Sequence, residues 1–313
     1  MSKKKKRKRT RVMFIVNPKS GRKKPYFSAG KIADMFAENN MEVAVYFTAP
    51  GYQADFLIKE HIEDFDIVAC SGGDGTISTA ISGMMACHSD KPIGYVPAGT
   101  TNDLARSLNL TTNMSKAARI IVTGEPQPLD VGSFNDDYFI YIASFGAFTE
   151  VSYATSQKAK NLFGRLAYLF GAVKYLHNIR TYHIKVNTDT KDVEGDYIFG
   201  AVTNSRSVAG IFKFEDDFVD FSDGMYEVML IKRPKNFTDA VGMVMSMLNK
   251  TYGSKYIEIF KASDMEFDCE EALDWAVDGE HKNGGEVVRI RNNPQAVNLI
   301  AKSHTLSKDP VDS

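Results

Sequence analysis

The sequence predicts two domains, an α/β N-terminal domain built on a parallel sheet and a C-terminal antiparallel β-sandwich. A chain of 313 residues is long enough for two domains of ordinary size. Up to residue 97, short apolar strands alternate with helices, which is typical of a parallel sheet covered on both faces. From Leu129 onward strands dominate, and turns such as Asn135-Asp136-Asp137 separate them. We therefore expect a domain boundary near residue 130.

The first domain alternates regularly between the two element types. Apolar and β-branched runs predict strands at Arg11–Val16, Met41–Phe47, Phe65–Cys70 and Ile93–Val96. Helical spacing of apolar residues predicts helices at Tyr26–Asn39, Gln53–Ile62 and Thr76–Cys87. Ligands of parallel sheets bind at the carboxyl ends of the strands, so we expect a binding site in the loops that follow these strands.

The second domain contains many strands and few helices. We predict strands at Leu129–Phe134, Tyr138–Ala143, Tyr182–Val186, Asp196–Thr203, Met225–Lys232, Tyr256–Ala262 and Glu286–Arg291. Helices are predicted at Lys158–His177 and Phe237–Leu248. The helix at Lys158–His177 carries a broad apolar stripe bordered by basic residues, and either a core-facing or a bilayer-facing role is consistent with that pattern.

Charge is distributed unevenly along the chain. The first eleven residues contain eight Lys and Arg and no acid. The rest of the chain therefore contains 30 basic and 39 acidic residues and carries a net charge of −9. Residues 1–10 are predicted to form a basic tail, which is either simply solvated or attracted to an anionic membrane or nucleic acid. The acidic body lacks interleaved basic and aromatic patches, so we expect no nucleic-acid partner.

Several classes of protein are excluded by composition. Cys70, Cys87 and Cys269 are too few and too scattered for a disulfide framework or a zinc site, which favours a reducing compartment. No apolar run reaches the ~18 residues of a membrane-spanning helix, and no cleavable signal follows the basic N-terminus. The sequence therefore predicts a cytoplasmic protein.

A glycine-rich loop between a buried strand and a helix is the strongest local signal. Ser71-Gly72-Gly73-Asp74-Gly75-Thr76 leaves backbone N–H groups uncovered at a helix start, which is a natural cradle for phosphate. The carboxylate of Asp74 would repel phosphate unless a cation lay between them, so the loop favours a Mg²⁺-nucleotide. The alternative is a tight turn in which Asp74 only caps the helix.

Two neighbouring loops strengthen the nucleotide interpretation. Asn17–Gly21 follows the first strand and Pro97–Asp103 follows the fourth, so three polar, glycine-containing loops are expected at one end of one sheet. Neither GxxxxGK[ST] nor GxGxxG is present, which indicates a nucleotide site of another type.

Four motifs together resemble a known family. They are NPKSG at 17–21, SGGDGT at 71–76, PAGTTNDLAR at 97–106 and VDGE at 277–280. The set resembles the catalytic domain of diacylglycerol kinases, particularly the soluble bacterial enzymes, and next the YegS-type lipid kinases. The Gly-Gly-Asp-Gly-Thr motif alone is shared with NAD kinases and, more loosely, phosphofructokinases. The resemblance covers roughly residues 11–300 and leaves the basic tail outside.

The resemblance implies an architecture. Residues 11–130 are expected to form a nucleotide-binding domain similar to NAD kinase and phosphofructokinase, and residues 131–297 a β-sandwich. A return segment at about 298–313 would rejoin the first domain, and ATP would lie in the cleft between the domains. The resemblance also implies action at the inner face of the membrane as a peripheral enzyme, and leaves a homodimer open.

The resemblance also implies roles for individual residues. Nucleotide contacts carry over to Asn17, Pro18, Lys19, Ser20, Gly21, Thr48, Gly72, Gly73, Gly75, Thr76, Ile77, Ser78, Thr79, Thr100 and Asn102. Catalytic Mg²⁺ would be held by Asp74, Asp103 and Asp130, largely through waters, with Glu280 as general base and Asp74 also catalytic. A second, structural Mg²⁺ would bind Asp220, Asp223 and Met225. Ser78-Thr79 departs from the Asn-Glu of many relatives.

The expected activity is ATP- and Mg²⁺-dependent phosphorylation of diacylglycerol to phosphatidic acid. Another lipid alcohol, such as a sphingoid base or phosphatidylglycerol, stays open as the acceptor. NAD is a weaker third acceptor, and a nucleotide-sensing or nucleic-acid-binding protein is the alternative from outside the enzymes.

Overall fold

The computed structural model describes residues 9–147, 179–208, 212–214, 218–249, 253–303 and 305–306. The chain divides into two compact units: unit 1 is Met1–Val131 with Pro294–Ser313, and unit 2 is Gly132–Asn293. The helix predicted at Lys158–His177 and most of the predicted basic tail lie outside the described residues. No helix in the described ranges is long and apolar enough to cross a membrane.

Unit 1 is built on a parallel sheet. Its strands are β1 (Thr10–Val16), β2 (Met41–Phe47), β3 (Ile67–Gly72) and β4 (Ile93–Pro97), and the last part of β17 (Val287–Ala301) runs parallel to β4. The order across the sheet is β17-β4-β3-β1-β2. Residues 12–16 of β1 are completely buried, because the strand is central and helices cover both faces.

In the described part of unit 1, five α-helices accompany this sheet: α1 (Lys24–Glu38), α2 (Ala54–His61), α3 (Asp74–Ala86), α4 (Asp103–Ser107) and α5 (Met114–Thr123). Short 3₁₀ helices at Ser20–Lys23 and Ile62–Asp64 complete the unit. Phe14 of β1 meets Phe36 of α1 edge to face in the core. Helices α4 and α5 were not predicted from the sequence. Asn113 is the N-cap of α5, since its side chain accepts the Lys116 N–H.

Unit 2 is an antiparallel, β-rich unit, which confirms the predicted fold class. Its core strands lie in the order β16-β15-β7-β9-β8-β14-β17, and β12 joins β9 and β13. Trp275 lies at the centre of the core, with Phe134, Phe145 and Phe267 arranged edge-on around its ring. Strand β5 (Glu125–Phe134) begins in unit 1 and ends in unit 2. The other described strands are β6 (Asp137–Phe139), β7 (Ile142–Gly146), β8 (Tyr182–Thr188), β9 (Val193–Thr203), β10 (Ser207–Val208), β11 (Phe212–Lys213), β12 (Tyr226–Lys232), β13 (Ile257–Ala262), β14 (Asp264–Cys269), β15 (Asp274–Val277) and β16 (Glu280–Asn283), with one described helix, α6 (Phe237–Leu248).

Several boundaries differ from the sequence-based prediction. The single strand predicted at Tyr138–Ala143 is two strands, β6 and β7, because the backbone N–H groups between them bind a carboxylate instead of a neighbouring strand. Strand β5 begins at Glu125, four residues before the predicted start at Leu129, and Asp130 lies inside it. Strand β17 continues without a break through residues 292–301, where a separate return segment was expected from residue 298.

Candidate functional site

Three loops of unit 1 meet at the carboxyl ends of its strands. The Asn17 N–H donates to the Ser71 carbonyl at 2.8 Å, and the Ala98 N–H donates to the Gly72 carbonyl at 2.7 Å. The Asn17 side-chain amide donates to the Thr76 hydroxyl at 2.9 Å, so the first loop is joined to the start of α3. The structure therefore brings the three predicted loops together.

Glycines allow these loops to approach one another closely. A Cβ on Gly99 would lie 2.8 Å from the Cα of Gly73, and a Cβ on Gly21 would overlap the carbonyl oxygen of Ala98. Gly21 also has a φ of +49°, in the left-handed region. Larger residues at these positions would push the loops apart, so the glycines are required by packing as well as by backbone conformation.

The N-terminus of α3 supplies backbone donors at the centre of the loops. Gly73 is the N-cap, and no side chain caps the helix. The first N–H groups of a helix have no partner within it, so those of Asp74 and Gly75 are available to an anion. The Gly73 N–H points to the Ser20 hydroxyl at 3.3 Å, which ties the first loop to this cradle.

Tyr95 supports the cradle from β4. Its hydroxyl donates to the Gly72 carbonyl at 3.4 Å, and its ring is buried. Burial, followed by the charge of Asp74, raises the pKa of Tyr95 well above its usual range, so the hydroxyl stays protonated and keeps donating. Tyr95 was not predicted as a site residue, because a tyrosine in an apolar strand has the pattern of an ordinary core residue.

Asp74 holds the start of α4. Its carboxylate accepts the N–H of Asp103 at 3.0 Å and of Leu104 at 3.1 Å, and the Thr101 hydroxyl at 3.3 Å. Burial and the negative charge of Asp74 together raise the pKa of Asp103, against the lowering effect of Arg106. Two neighbouring carboxylates that repel each other are a donor set suited to a hard divalent cation such as Mg²⁺.

Asp130 is fully buried in unit 1, where its carboxylate accepts the Gln295 N–H at 2.7 Å. Within the described ranges, no three acidic, histidine or cysteine side chains form a group that could hold a metal directly. Asp74 and Asp103 are therefore the pair that the structure itself brings together. The role of Asp130 as a third metal residue stays a prediction.

A tight hairpin in unit 2 carries Glu280. Asp278 and Gly279 form its turn with φ values of 48° and 85°, and Glu280 is the exposed first residue of β16. The carboxylate of Asp278 accepts three successive backbone N–H groups, those of Ile140 at 2.7 Å and of Tyr141 and Ile142 at 3.1 Å. Asp278 thereby anchors the turn that presents Glu280.

The loop at Asp220–Met225 is paired with the ammonium group of a lysine. One oxygen of Asp223 accepts the Met225 N–H at 3.0 Å, and the other accepts the Lys261 ammonium at 2.8 Å. Lys261 also lies 3.2 Å from Glu227, whose side chain is completely buried. Burial raises the pKa of Glu227 to about 8 although Lys261 opposes that shift.

Comparison with known proteins agrees with this arrangement. Residues 11–134 match the diacylglycerol kinase catalytic domain, and residues 142–301 match the YegS C-terminal NAD kinase beta sandwich-like domain. The chain is 30% identical over 301 residues to a protein of Bacillus subtilis (strain 168) named diacylglycerol kinase, covering 95% of this chain and 99% of that protein. The chain belongs to the diacylglycerol kinase family.

This diacylglycerol kinase family member is also similar to a second curated relative and, in fold, to a solved structure. A diacylglycerol kinase of Staphylococcus carnosus (strain TM300) is 29% identical over 283 residues, covering 89% of this chain and 90% of that one. The crystal structure of a diacylglycerol kinase from Bacillus anthracis str. Sterne has a TM-score of 0.72 at 20% identity, covering 96% of this chain and 100% of that chain. That likeness shows the shared fold.

The predicted nucleotide residues of this family member lie partly on the three loops and partly beside them. Those of the three loops, from Asn17 to Gly21, from Gly72 to Thr76 and at Thr100 and Asn102, lie on the converging segments. Ile77 is different, because its side chain is fully buried in the core and only its backbone is left to meet a nucleotide. Beside it, Ser78 is half-buried. The Thr79 hydroxyl donates to the Gly75 carbonyl, and Thr48 follows β2 with its N–H on the Val16 carbonyl.

Asn102 serves a structural purpose as well. It has a φ of +50°, and its side-chain oxygen accepts the Gly99 N–H at 2.7 Å, which closes the third loop on itself.

The second cation site, predicted at Asp220, Asp223 and Met225, stays a prediction, and the residues present fit a metal poorly. Both oxygens of Asp223 are already engaged, and the Lys261 ammonium supplies the positive charge.

Proposed function

We propose that this kinase transfers the γ-phosphoryl group of ATP to the hydroxyl of diacylglycerol, giving phosphatidic acid and ADP. The observation that carries the proposal is the meeting of the three glycine-containing loops around the N-terminus of α3, in a chain of the diacylglycerol kinase family. Because the acyl chains keep such a lipid in a bilayer, the enzyme would work at the cytoplasmic surface of the membrane as a peripheral protein.

The loops would hold the phosphate groups of ATP. Backbone N–H groups at the start of α3 point outward as donors, and the glycines leave room for a phosphate to approach the backbone. The side chains of Asn17, Ser20 and Thr76 fix the loops to one another, so this cradle is formed before the nucleotide arrives. A preformed set of donors stabilises the charge that develops during transfer without reorganisation.

Asp74 and Asp103 would hold Mg²⁺, with Asp130 as a third residue acting through water. When bound, Mg²⁺ neutralises charge on the transferring phosphoryl group. Asp74 has two tasks, because its oxygens also accept the N–H groups of α4. This contact keeps Asp103 beside Asp74, so the helix start and the cation-binding pair depend on each other.

Glu280 would act as the general base. The acceptor oxygen forms its bond to the γ-phosphorus while the bond from that phosphorus to the bridging oxygen breaks, and ADP leaves with the electron pair. The hydroxyl proton passes to the Glu280 carboxylate. The exposed position of Glu280 on an anchored hairpin suits a base that must meet a second substrate.

Phosphate transfer from labelled ATP to a panel of acceptors tests the proposal. Diacylglycerol, sphingosine, phosphatidylglycerol and NAD would be compared in mixed micelles with Mg²⁺, and the products separated by chromatography. Phosphatidic acid as the dominant product supports the proposal, whereas phosphorylation of another acceptor alone overturns the substrate assignment.

The variant Glu280→Gln tests the base. We expect its rate on the preferred lipid to fall by about 10²–10⁴-fold while ATP binding is unchanged. Glu286→Gln is a matched control, because Glu286 is also an exposed carboxylate of unit 2. Near-normal rates for Glu280→Gln would remove this residue from the mechanism.

A further inference from the structure

The apolar surface of helix α6 extends beyond the side that packs against the rest of unit 2. Ala240, Met243 and Val244 form its buried side. Phe237 and Met245 are 63% and 42% exposed, although both are large apolar side chains. With the half-buried Val241 between them, they follow the spacing i, i+4, i+8, so they form one stripe along the helix surface.

The surroundings of this stripe are positively charged. Arg233 and Lys235 lie exposed in the segment that leads into α6, and neither pairs with an acid in the part of the chain that the structure describes. The one acidic residue of the helix, Asp239, is already paired with the Lys255 ammonium at 3.1 Å. The segment from 233 to 245 therefore presents apolar surface and two unbalanced cations.

An apolar stripe beside unpaired cations is the chemical pattern of a helix that lies in the surface of an anionic membrane. Large exposed apolar side chains gain free energy by entering the acyl region, and Lys or Arg beside them is attracted to anionic headgroups. A solvated helix gains nothing from keeping Phe237 and Met245 in water. Single exposed apolar residues are common, but a periodic stripe on one helix is not.

We propose that α6 docks on an anionic lipid surface, with Phe237, Val241 and Met245 inserted and with Arg233 and Lys235 at the headgroups. The inference deepens the proposed function, on which it rests for its purpose, because a kinase for a bilayer lipid needs a surface that holds it to the bilayer. Neither the three apolar residues nor the two basic residues belong to the proposed nucleotide-binding loops or to the hairpin of Glu280.

Vesicle binding without any substrate tests the proposal directly. The full chain would be sedimented with vesicles of phosphatidylcholine containing phosphatidylglycerol, at low and at 0.5 M salt. High salt shortens the Debye length to a few ångströms, about 3 Å at 1 M, so it suppresses attraction by the basic N-terminus and leaves the apolar contribution. All variants keep that N-terminus, which makes its contribution equal throughout.

We expect the double variant Phe237→Ser/Met245→Ser to lose at least tenfold in vesicle partitioning at both salt concentrations. Val287→Ser is the matched control, because Val287 is 44% exposed on a strand of the same unit and is expected to leave partitioning unchanged. Arg233→Gln/Lys235→Gln should lose up to about tenfold at low salt, roughly fivefold per cation, and little at high salt.

The outcomes separate this inference from the proposed function. Equal partitioning of the wild type and Phe237→Ser/Met245→Ser, with both melting at the same temperature, overturns the docking proposal. A wild-type dimer that the same double variant makes monomeric would assign the stripe to a second copy instead. Phosphorylation of a short-chain, monomeric diacylglycerol tests the chemistry apart from the membrane. That activity should survive in the double variant, and its absence in the wild type contradicts the proposed function only.

Discussion

The carboxylate of Asp74 accepts the backbone N–H of Asp103 at 3.0 Å, so the glycine loop after β3 directly fixes the start of the helix after β4. The same contact sets two carboxylates side by side and raises the pKa of Asp103, with burial as the first cause and Asp74 as the second. The energetic cost of bringing two acids together is the kind of local conflict that proteins keep at functional sites.

Asp74→Asn separates the two tasks of this residue. The amide oxygen can still accept the N–H groups of Asp103 and Leu104, whereas the charge that would hold Mg²⁺ is lost. We expect the free energy of unfolding to stay within about 1 kcal/mol of the wild-type value, because the amide oxygen of asparagine accepts N–H groups at a helix start about as well as a carboxylate does. We also expect the rate of phosphate transfer to fall by about a thousandfold.

Urea denaturation and a Mg²⁺ titration of the rate would measure these two effects of Asp74→Asn. Asp74→Ala is the comparison that removes both functions, and it should cost a further 0.5–2 kcal/mol or so of stability. A normal Mg²⁺ dependence in Asp74→Asn would contradict the proposed role of this carboxylate.

The sequence was sufficient to predict the parallel sheet and the loops, because both depend on local signals. Strands β1 and β3 are continuous apolar runs, and the glycine motif after β3 marks a turn into a helix. Helix α4 depends instead on a residue 29 positions away, since Asp74 accepts its first N–H groups. A five-residue helix has no periodicity of its own from which to be predicted.

The contacts of Asp278 and Lys261 were unpredictable for the same reason. The three N–H groups that bind Asp278 are more than 130 residues away in sequence, and Lys261 is 38 residues from Asp223. The family resemblance implies a metal ion at the acidic loop, and a single sequence does not show that Lys261 lies beside Asp223. Pairing across strands is set by register, which a single sequence specifies weakly.

Gly99→Ala tests the close approach of the loops. The added methyl group would lie 2.8 Å from the Cα of Gly73, so one of the two loops must move. We expect ATP affinity to fall by at least tenfold, measured by titration calorimetry, because the phosphate cradle is built from both loops. Gly30→Ala is the control: a Cβ there meets nothing within 4 Å.

The control Gly30→Ala should stabilise the protein. Gly30 lies inside α1, where alanine is favoured over glycine by roughly 0.5–1 kcal/mol, so Gly30→Ala should raise the melting temperature and leave ATP binding unchanged. Wild-type ATP affinity in Gly99→Ala would show that the loops separate without loss of the site.

Glu258→Gln tests the acid sensitivity of unit 2. Burial alone would raise the pKa of Glu258, but hydrogen bonds from Lys232 at 2.7 Å and Lys191 at 3.0 Å lower it overall. A carboxyl with a lowered folded pKa stabilises the protein above its unfolded pKa, and this stabilisation is lost as the pH falls through the folded pKa.

We therefore expect Glu258→Gln to destabilise the protein by about 1–2 kcal/mol at pH 7 and by progressively less as the pH falls below 4. Urea denaturation at a series of pH values would measure the difference. Glu286→Gln, at an exposed carboxylate, is the control and should change the stability at pH 7 only slightly. A pH-independent cost for Glu258→Gln would contradict the ion-pair explanation.

Lys261→Met tests whether this ammonium balances the Asp220–Met225 loop. Removing it leaves the buried Glu227 and the neighbouring Asp223 without their cation, so the free energy of unfolding should fall at pH values where Glu227 is otherwise ionised. Because burial holds the pKa of Glu227 above that of an unfolded glutamate, the cost should be larger at pH 8 than at pH 6. Lys185→Met, at an exposed lysine of β8, is the control.

A second substitution identifies the cause of that loss. Glu227→Gln in the Lys261→Met background removes the stranded buried charge, so the double variant should be more stable at pH 8 than Lys261→Met alone. Thermal melting with and without Mg²⁺ completes the test. Two results together would show that this loop binds a metal ion instead. The melting temperature of the wild type would fall on chelation in the absence of nucleotide, and the Lys261→Met variant would melt like the wild type.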